Sequence, residues 1–218
     1  MKKILIIMMC LLLPVSAFAV DIKWGATFGL NHSFFSGSDW SDEKAEADAI
    51  GINLETKLGL GFEIGTFVNI GINNFFSIQP ELNILFLRIK HEASFAGVTI
   101  VEDTWRIRIA EMPVLARFDV NAGLGNVFFL LGPALQIISG DIELERTTLG
   151  GILDANIKGA PDVSVLFAGI VGAGYAIPLG NGELLFELRY RRAFTDFFDH
   201  VNWKINTIGL RIGYGVGF

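Results

Sequence analysis

Ile205-Asn206-Thr207-Ile208-Gly209-Leu210-Arg211-Ile212-Gly213-Tyr214-Gly215-Val216-Gly217-Phe218 closes the chain. From Ile208 on, every even position is apolar, while the odd positions from Thr207 hold only Thr, Gly and Arg. Period two makes this a strand with one oily face and one small or polar face. In water such a strand would be weak, because glycine costs backbone entropy and packs nothing. Arg211 adds a charge at mid-strand. Both features fit if the oily face meets lipid and the other lines a crowded lumen. The competing reading is the last strand of a soluble sandwich.

The alternation recurs upstream. Ile22 to Ser33 sets Trp24, Ala26, Phe28 and Leu30 against Lys23, Gly25, Thr27, Asn31 and Ser33. Ile52 to Ile70 sets Leu54, Leu58, Leu60, Phe62 and Ile64 against Asn53, Lys57, Gly61, Glu63 and Gly65. That span exceeds the roughly 9–11 residues a tilted strand needs to cross a bilayer, so its excess is expected to project. A third strand puts Ile78, Pro80, Leu82, Ile84 and Phe86 on one face and Gln79, Glu81 and Asn83 on the other. Pro80 removes a ladder donor and predicts a bulge or weak pairing. In the fourth, Trp105, Ile107 and Ile109 are expected outward and Arg106 and Arg108 inward. The apolar phase then shifts to Met112, Val114 and Phe118, which predicts a β-bulge near Ala110–Glu111. Val127 to Ser139 is a fifth strand, with Phe129, Leu131, Leu135 and Ile137 outward. Another places Leu184, Phe186, Leu188 and Tyr190 outward against Glu187, Arg189 and Arg191. Val163 to Ile177 carries no charge and approaches the length of a spanning helix. Its glycines, Pro178 just beyond, and its own alternation favour a strand.

Between the strands, Ser36–Asp48, Arg88–Asp103, Gly140–Pro161 and Thr195–Trp203 read as long loops. Gly71–Asn74, Asn121–Asn126 and Pro178–Gly182 read as tight turns. Long and short connections alternate, as expected when long loops face the cell exterior and short turns the periplasm. The expected fold is all-β, an eight-stranded antiparallel up-and-down transmembrane β-barrel over residues 20–218 with both termini at the periplasm.

Residues 1–19 have the form of a cleaved signal peptide: Lys2 and Lys3, an apolar run Ile4–Leu13, and Ala17-Phe18-Ala19 before the cut. Cys10, the single cysteine, lies in that run and lacks the small preceding residue of a lipid-anchor signal. Its removal leaves no disulfide, thiolate metal ligand or Cys nucleophile. The chain has 17 Lys+Arg and 23 Asp+Glu; losing Lys2 and Lys3 leaves 15 against 23, a formal charge of −8. An acidic exterior argues against nucleic acid, and against anionic headgroups held by bulk charge. The 218 residues include 25 Gly, 19 Phe and 51% hydrophobic residues. Mean hydropathy is +0.49, high for a secreted globule and right for a barrel whose outside is wet by lipid.

Several stretches resemble a known family. They are Ser77-Ile78-Gln79-Pro80-Glu81-Leu82, Ile109-Ala110-Glu111-Met112-Pro113-Val114-Leu115, Leu131-Gly132-Pro133, Glu187-Leu188-Arg189-Tyr190, and the closing strand ending on Phe218. Together they resemble the small bacterial outer-membrane β-barrels of the PorT-like and OmpA/OmpX-like kind. The resemblance covers nearly all of residues 20–218. It implies residence in the outer membrane and insertion by the barrel assembly machinery through the C-terminal strand. It carries over no catalytic residues. Outer-membrane lipid is the expected partner, with no nucleic acid and a monomeric chain.

The inward charges are the candidate site: Glu63, Glu81, Glu111 and Glu187 with Arg106, Arg108, Arg189, Arg191 and Arg211. Eight strands leave a lumen just wide enough for side chains to fill. Charges there must pair, because unpaired ones cost several kcal/mol, on the order of a whole domain's margin. A structural plug of salt bridges is the first reading and a rearranging gate for small solutes the second. An outer-membrane enzyme is the third: it requires a positioned base, and the histidines are only His32, His91 and His200, none with an identifying spacing. No catalytic, cofactor or metal site is expected. The acidic run Asp39, Asp42, Glu43, Glu46 and Asp48 lacks the spacing of a calcium loop. Phe197, Phe198 and Trp203 are expected at the lipid interface. A soluble lipocalin-like barrel is the non-membrane rival, with apolar residues inside.

Overall fold

The computed structural model describes residues 21–148, 153–160, 164–197 and 201–217. Among them are eleven strands and one helix: β1 (Ile22–Ser36), α1 (Ser38–Ala49), β2 (Ile52–Lys57), β3 (Leu60–Gly71), β4 (Phe76–Phe95), β5 (Val98–Ala122), β6 (Gly125–Ile138), β7 (Ile142–Thr148), β8 (Leu153–Gly159), β9 (Val165–Leu179), β10 (Gly182–Ala193) and β11 (Lys204–Gly217). The signal-like segment, Cys10, Phe198, His200 and Phe218 lie outside the described residues.

The strands form one antiparallel sheet in the order β2-β4-β3-β1-β11-β10-β9-β6-β5-β7-β8, and a further β4–β5 pairing closes it on itself. First and last strands meet in the ring, from Lys23 opposite Gly217 to Ser36 opposite Lys204. No strand of the ring therefore has a free edge, which is what a lipid environment demands of a sheet. Val165–Leu179 is a strand, and no described helix is long and apolar enough to cross a membrane.

Short turns connect the strands at one end. Asn73 Oδ1 accepts the N–H groups of Phe75 and Phe76, both at 2.9 Å, and closes the first. Gly123 and Gly180 supply positive φ in the other two. Outward aromatics ring this end: Trp24, Phe75 and Tyr214 are exposed, and the Tyr175 and Tyr214 hydroxyls donate to the Ala122 and Leu179 carbonyls at 2.7 and 2.8 Å. Amphipathic rings at this height suit the headgroup boundary.

The opposite end projects. The expected loops there hold regular structure. The expected Ser36–Asp48 loop is largely taken up by the 12-residue helix Ser38–Ala49, favoured by Ala45, Ala47 and Ala49. It starts at Gly37, where φ is 138° and a Cβ would press on the Asn202 carbonyl. Asn202 Oδ1 accepts the Ser38 N–H at 3.2 Å, and Asp39 accepts the Asn202 N–H at 3.0 Å, tying α1 to the β10–β11 connection. β4 and β5 continue into a long hairpin that turns at Ala96 and Gly97, both with positive φ. β7 and β8 form a second hairpin within the expected Gly140–Pro161 loop.

The expected bulge near Ala110–Glu111 is absent. β5 keeps one register against β4 from Val114 opposite Pro80 to Val101 opposite Ala93, and the shift falls at Ala93/Ser94. Conversely, the unbroken alternation of Ile52–Ile70 covers a break at Leu58–Gly59. β2 pairs with β4 one residue out of step with β3: Leu54 faces Ala93, but Phe62 faces Phe86. Leu54 thus packs inward while Leu60 points out. The β3–β4 ladder also lacks pairs between Phe67–Glu81 and Ile70–Ile78, the stretch that holds Pro80.

Candidate functional site

Around the ring, the oily faces look outward. Ile212 and Leu60 are exposed, as are Phe28, Phe62, Leu82, Phe129, Phe167 and Leu188. Arg189, Arg191, Arg211, Glu63, Glu81, Glu111 and Glu187 are buried on the inside. A soluble barrel would have the reverse.

Seven of the nine expected charges meet in the lumen. Arg189 reaches from β10 to Glu81 on β4 with two parallel bonds of 2.7 and 2.8 Å, and also holds Glu187. In the closed order, β4 and β10 stand on opposite walls, so this bidentate pair crosses the lumen. Arg191 bridges Glu63 at 2.9 Å and Glu111 at 3.2 Å. Arg211 lies 2.9 Å from Glu63, 3.2 Å from Glu81 and 3.5 Å from Glu187, and donates to the Thr27 hydroxyl. Neutral side chains complete the layer: Asn83 donates to Glu81 at 3.0 Å and Glu111 at 3.2 Å, Gln79 to Glu81 and Gln136 to Glu111 at 2.8 Å. Gly29 makes room, since a Cβ there would sit 2.8 Å from Arg211 Cγ.

Arg106 and Arg108 are not in this layer. The β5 side chains that face inward are Ile107, Ile109, Glu111, Pro113, Leu115 and Arg117 in unbroken alternation, so both arginines point outward. Arg106 instead meets Glu143 and Glu145 on β7. The expectation failed because it equated polar with inward. Above the membrane the outside is water, and the strand's polar face turns to it.

Two apolar layers bracket the charges. Toward the short turns lie Phe67, Leu115, Phe128, Leu130, Ile170 and Leu185. Gly174 leaves space for the Phe128 ring, 2.3 Å from where a Cβ would be. Arg117, absent from the expected network, stacks 4.3 Å over Phe128, binds Asp119 at 2.8 Å and approaches Glu183, which Lys23 also holds at 2.9 Å. Its spacing of six from Glu111 puts it on the same face, and that signal was readable.

Toward the projecting end lie Phe35, Leu85, Leu87, Ile89, Ile107, Ile109, Leu166 and Ile205, roofed by Trp40 of α1. Trp40 lies 4.4 Å from the His91 ring and 5.0 Å from Trp203; His91 stacks on Phe35 at 5.4 Å. Phe197 is 1% exposed and Trp203 packs on this core, so neither sits at the lipid interface as expected. His91 stands above the oily belt, and burial pushes its pKa down to about 4. His32, the other described histidine, accepts the Gly59 N–H at 3.3 Å. Among the described residues, no group of three or more acidic, His or Cys side chains is placed to hold a metal ion.

An oily exterior, a closed antiparallel sheet and a charged interior define an integral outer-membrane β-barrel. The chain belongs to the outer membrane protein beta-barrel domain family, whose model matches residues 18–199. It is similar in fold to Neisserial surface protein A, at 14% identity over 89% of this chain and 97% of that one, with a TM-score of 0.45. Ail of Yersinia pestis, solved with the heparin analogue sucrose octasulfate, is 13% identical over 89% and 99%, TM-score 0.43. OprG of Pseudomonas aeruginosa is 11% identical over 91% and 95%, TM-score 0.44. No curated protein matches the chain.

Proposed function

We propose that this is an eight-stranded, non-conducting and non-catalytic outer-membrane barrel with a structural or surface-interaction role. The count takes β2 with β3, β6 with β7 and β8 with β9 as single interrupted strands. The supporting observation is the Arg189–Glu81 pair across the lumen, between side chains 0% and 1% exposed, with apolar layers on either side. Such stacking supports a closed lumen, and the projecting helix and hairpins would supply the surface. The same reading keeps residues 1–19 as a cleaved leader, and takes outer-membrane lipid and the barrel assembly machinery as partners of a monomer. The test is conductance of the folded protein in planar bilayers. A flat trace is expected; steady unitary currents would replace the plug with the gate.

A further inference from the structure

Where the oily belt ends on the projecting side, the outer wall holds a groove of about 530 Å³. Leu60, Phe62 and Phe86 line it together with Arg88, Arg106, Arg108 and Lys158, and Arg108 stands opposite Phe86 across the β4–β5 ladder. The groove's acids are Asp141 and Glu143, so four cations face two carboxylates in a chain of net charge −6. Arg88 and Arg106 stand directly opposite each other on β4 and β5. Like charges in that position repel and destabilise a sheet unless an anion lies between them. Arg106 and Lys158 have glutamate partners. Arg88 and Arg108 have no carboxylate within salt-bridge distance among the described residues, and Arg108 lies 5.5 Å over the Phe86 ring. The Ser139 N–H donates to the Arg108 carbonyl at 2.8 Å and fixes the groove's side wall.

We infer that this groove binds the phosphorylated headgroup of an outer-leaflet glycolipid. Arg88 and Arg108 would take the phosphate, and Leu60, Phe62 and Phe86 would take the first methylenes of the acyl chains. The placement suits that ligand: apolar and cationic side chains lie side by side where the oily belt ends, toward the long hairpins. Arginine's planar fork suits phosphate oxygens. The site acts by local placement, since the chain's overall charge repels anions.

The test is native mass spectrometry of the full chain released from detergent micelles. Three probes are titrated separately: a diphosphoryl glucosamine lipid, the same lipid stripped of phosphate, and inorganic phosphate. One diphosphoryl lipid per chain is expected to be retained. The stripped lipid should bind about tenfold more weakly, one charge-assisted contact's worth. The double variant Arg88→Gln/Arg108→Gln should lose about tenfold or more, Arg88→Lys/Arg108→Lys should recover part of that, and Arg146→Gln on β7 should match wild type. Equal retention of the stripped lipid, or undiminished binding by the Gln double variant, overturns the inference. So does inorganic phosphate bound as tightly as the lipid. The comparison of lipids on the unaltered protein decides the matter without any variant.

Discussion

Two stretches of the same wall obey opposite rules. From the short turns to Phe86, oily side chains face out, and Glu, Arg, Asn and Gln face in together with the apolar layer around Phe67 and Phe128. Beyond Phe86, Leu87, Ile89 and Ile107 face in, while Arg88, Arg106 and Arg108 line the outer wall. β4 and β5 cross from one region to the other in one register, and their shift falls only further out, at Ala93/Ser94. What changes is the solvent outside, lipid first and then water. The sheet fixes which residues alternate; the medium decides which set is turned toward it. The projecting half is an ordinary apolar core, and the membrane half is an inside-out one.

The sharpest way to break that comparison is in the charged layer. Arg189→Ala leaves Glu81 and Glu187 without their main partner in a closed interior. Removing one member of a buried ion pair costs about 3–5 kcal/mol. Urea unfolding in lipid vesicles, followed by heat-modifiable gel mobility, should show this as a lower midpoint or failed insertion. Replacing the set together, as Arg189→Met with Glu81→Leu and Glu187→Leu, should recover much of the loss, because apolar replacements of buried pairs are often neutral. A wild-type midpoint for Arg189→Ala would mean the layer is hydrated and the lumen open.

In the projecting half the corresponding experiment is Trp40→Ala. This ring joins α1 to Phe35, His91 and Trp203. Truncating a buried Trp costs about 3–5 kcal/mol, here confined to the cap because the membrane wall closes independently. Hydrogen exchange in β2 and the outer parts of β4 and β5 should speed up while β9 and β10 stay protected. If both halves loosen together, they are one cooperative unit and the boundary at Phe86 has no energetic meaning.

These two halves also explain what the sequence disclosed. The closing strand and the outward face of β10 alternate cleanly, with lipid outside along most of their length, and their facing was legible; in β9 the inward Leu166 and Ile170 blur the pattern. So was the meeting of Glu63, Glu81, Glu111 and Glu187 with Arg189, Arg191 and Arg211. Two errors arose from reading polarity as geometry. In β5 the pattern changes phase where the backbone does not, because the medium changes. Between β2 and β3 the backbone slips by one residue where the pattern does not, and Leu54 turns inward with no local sign of it. The helix in Ser36–Asp48 was hidden because its amphipathic signal rests on one buried residue, Trp40.

His91 offers a subtler probe of the cap. It is packed among Phe35, Trp40 and the Thr56 hydroxyl, with the Asp103 carboxylate the nearby charge that favours its protonation. Burial outweighs that carboxylate and lowers the pKa from 6.5 to about 4. The opened cap therefore takes up a proton near pH 6.5, whereas the closed cap resists until about pH 4. Cap stability should be full above pH 6.5, fall as pH drops toward 4 and level off below, by about 3 kcal/mol at the limit. Emission from Trp40, Trp105 and Trp203 should report the opening, and His91→Phe should flatten that slope. A slope unchanged in His91→Phe would assign the effect to the carboxylates.

The smallest effect tests the comparison from its other side. Arg106 sits on the same strand as Glu111 and was expected beside it, yet its side chain is 40% exposed and its partners are Glu143 and Glu145. Exposed pairs contribute about 0–1 kcal/mol, because water screens the attraction and holding two long side chains costs entropy. Arg106→Gln should therefore shift the urea midpoint barely, by about 0.5 kcal/mol or less, in the assay where Arg189→Ala is severe. The two arginines are chemically identical and differ only in which medium their strand turns them toward. A loss for Arg106→Gln approaching that of Arg189→Ala would place Arg106 within the lumen after all, and would require a bulge near Ala110–Glu111, where β5 keeps its register.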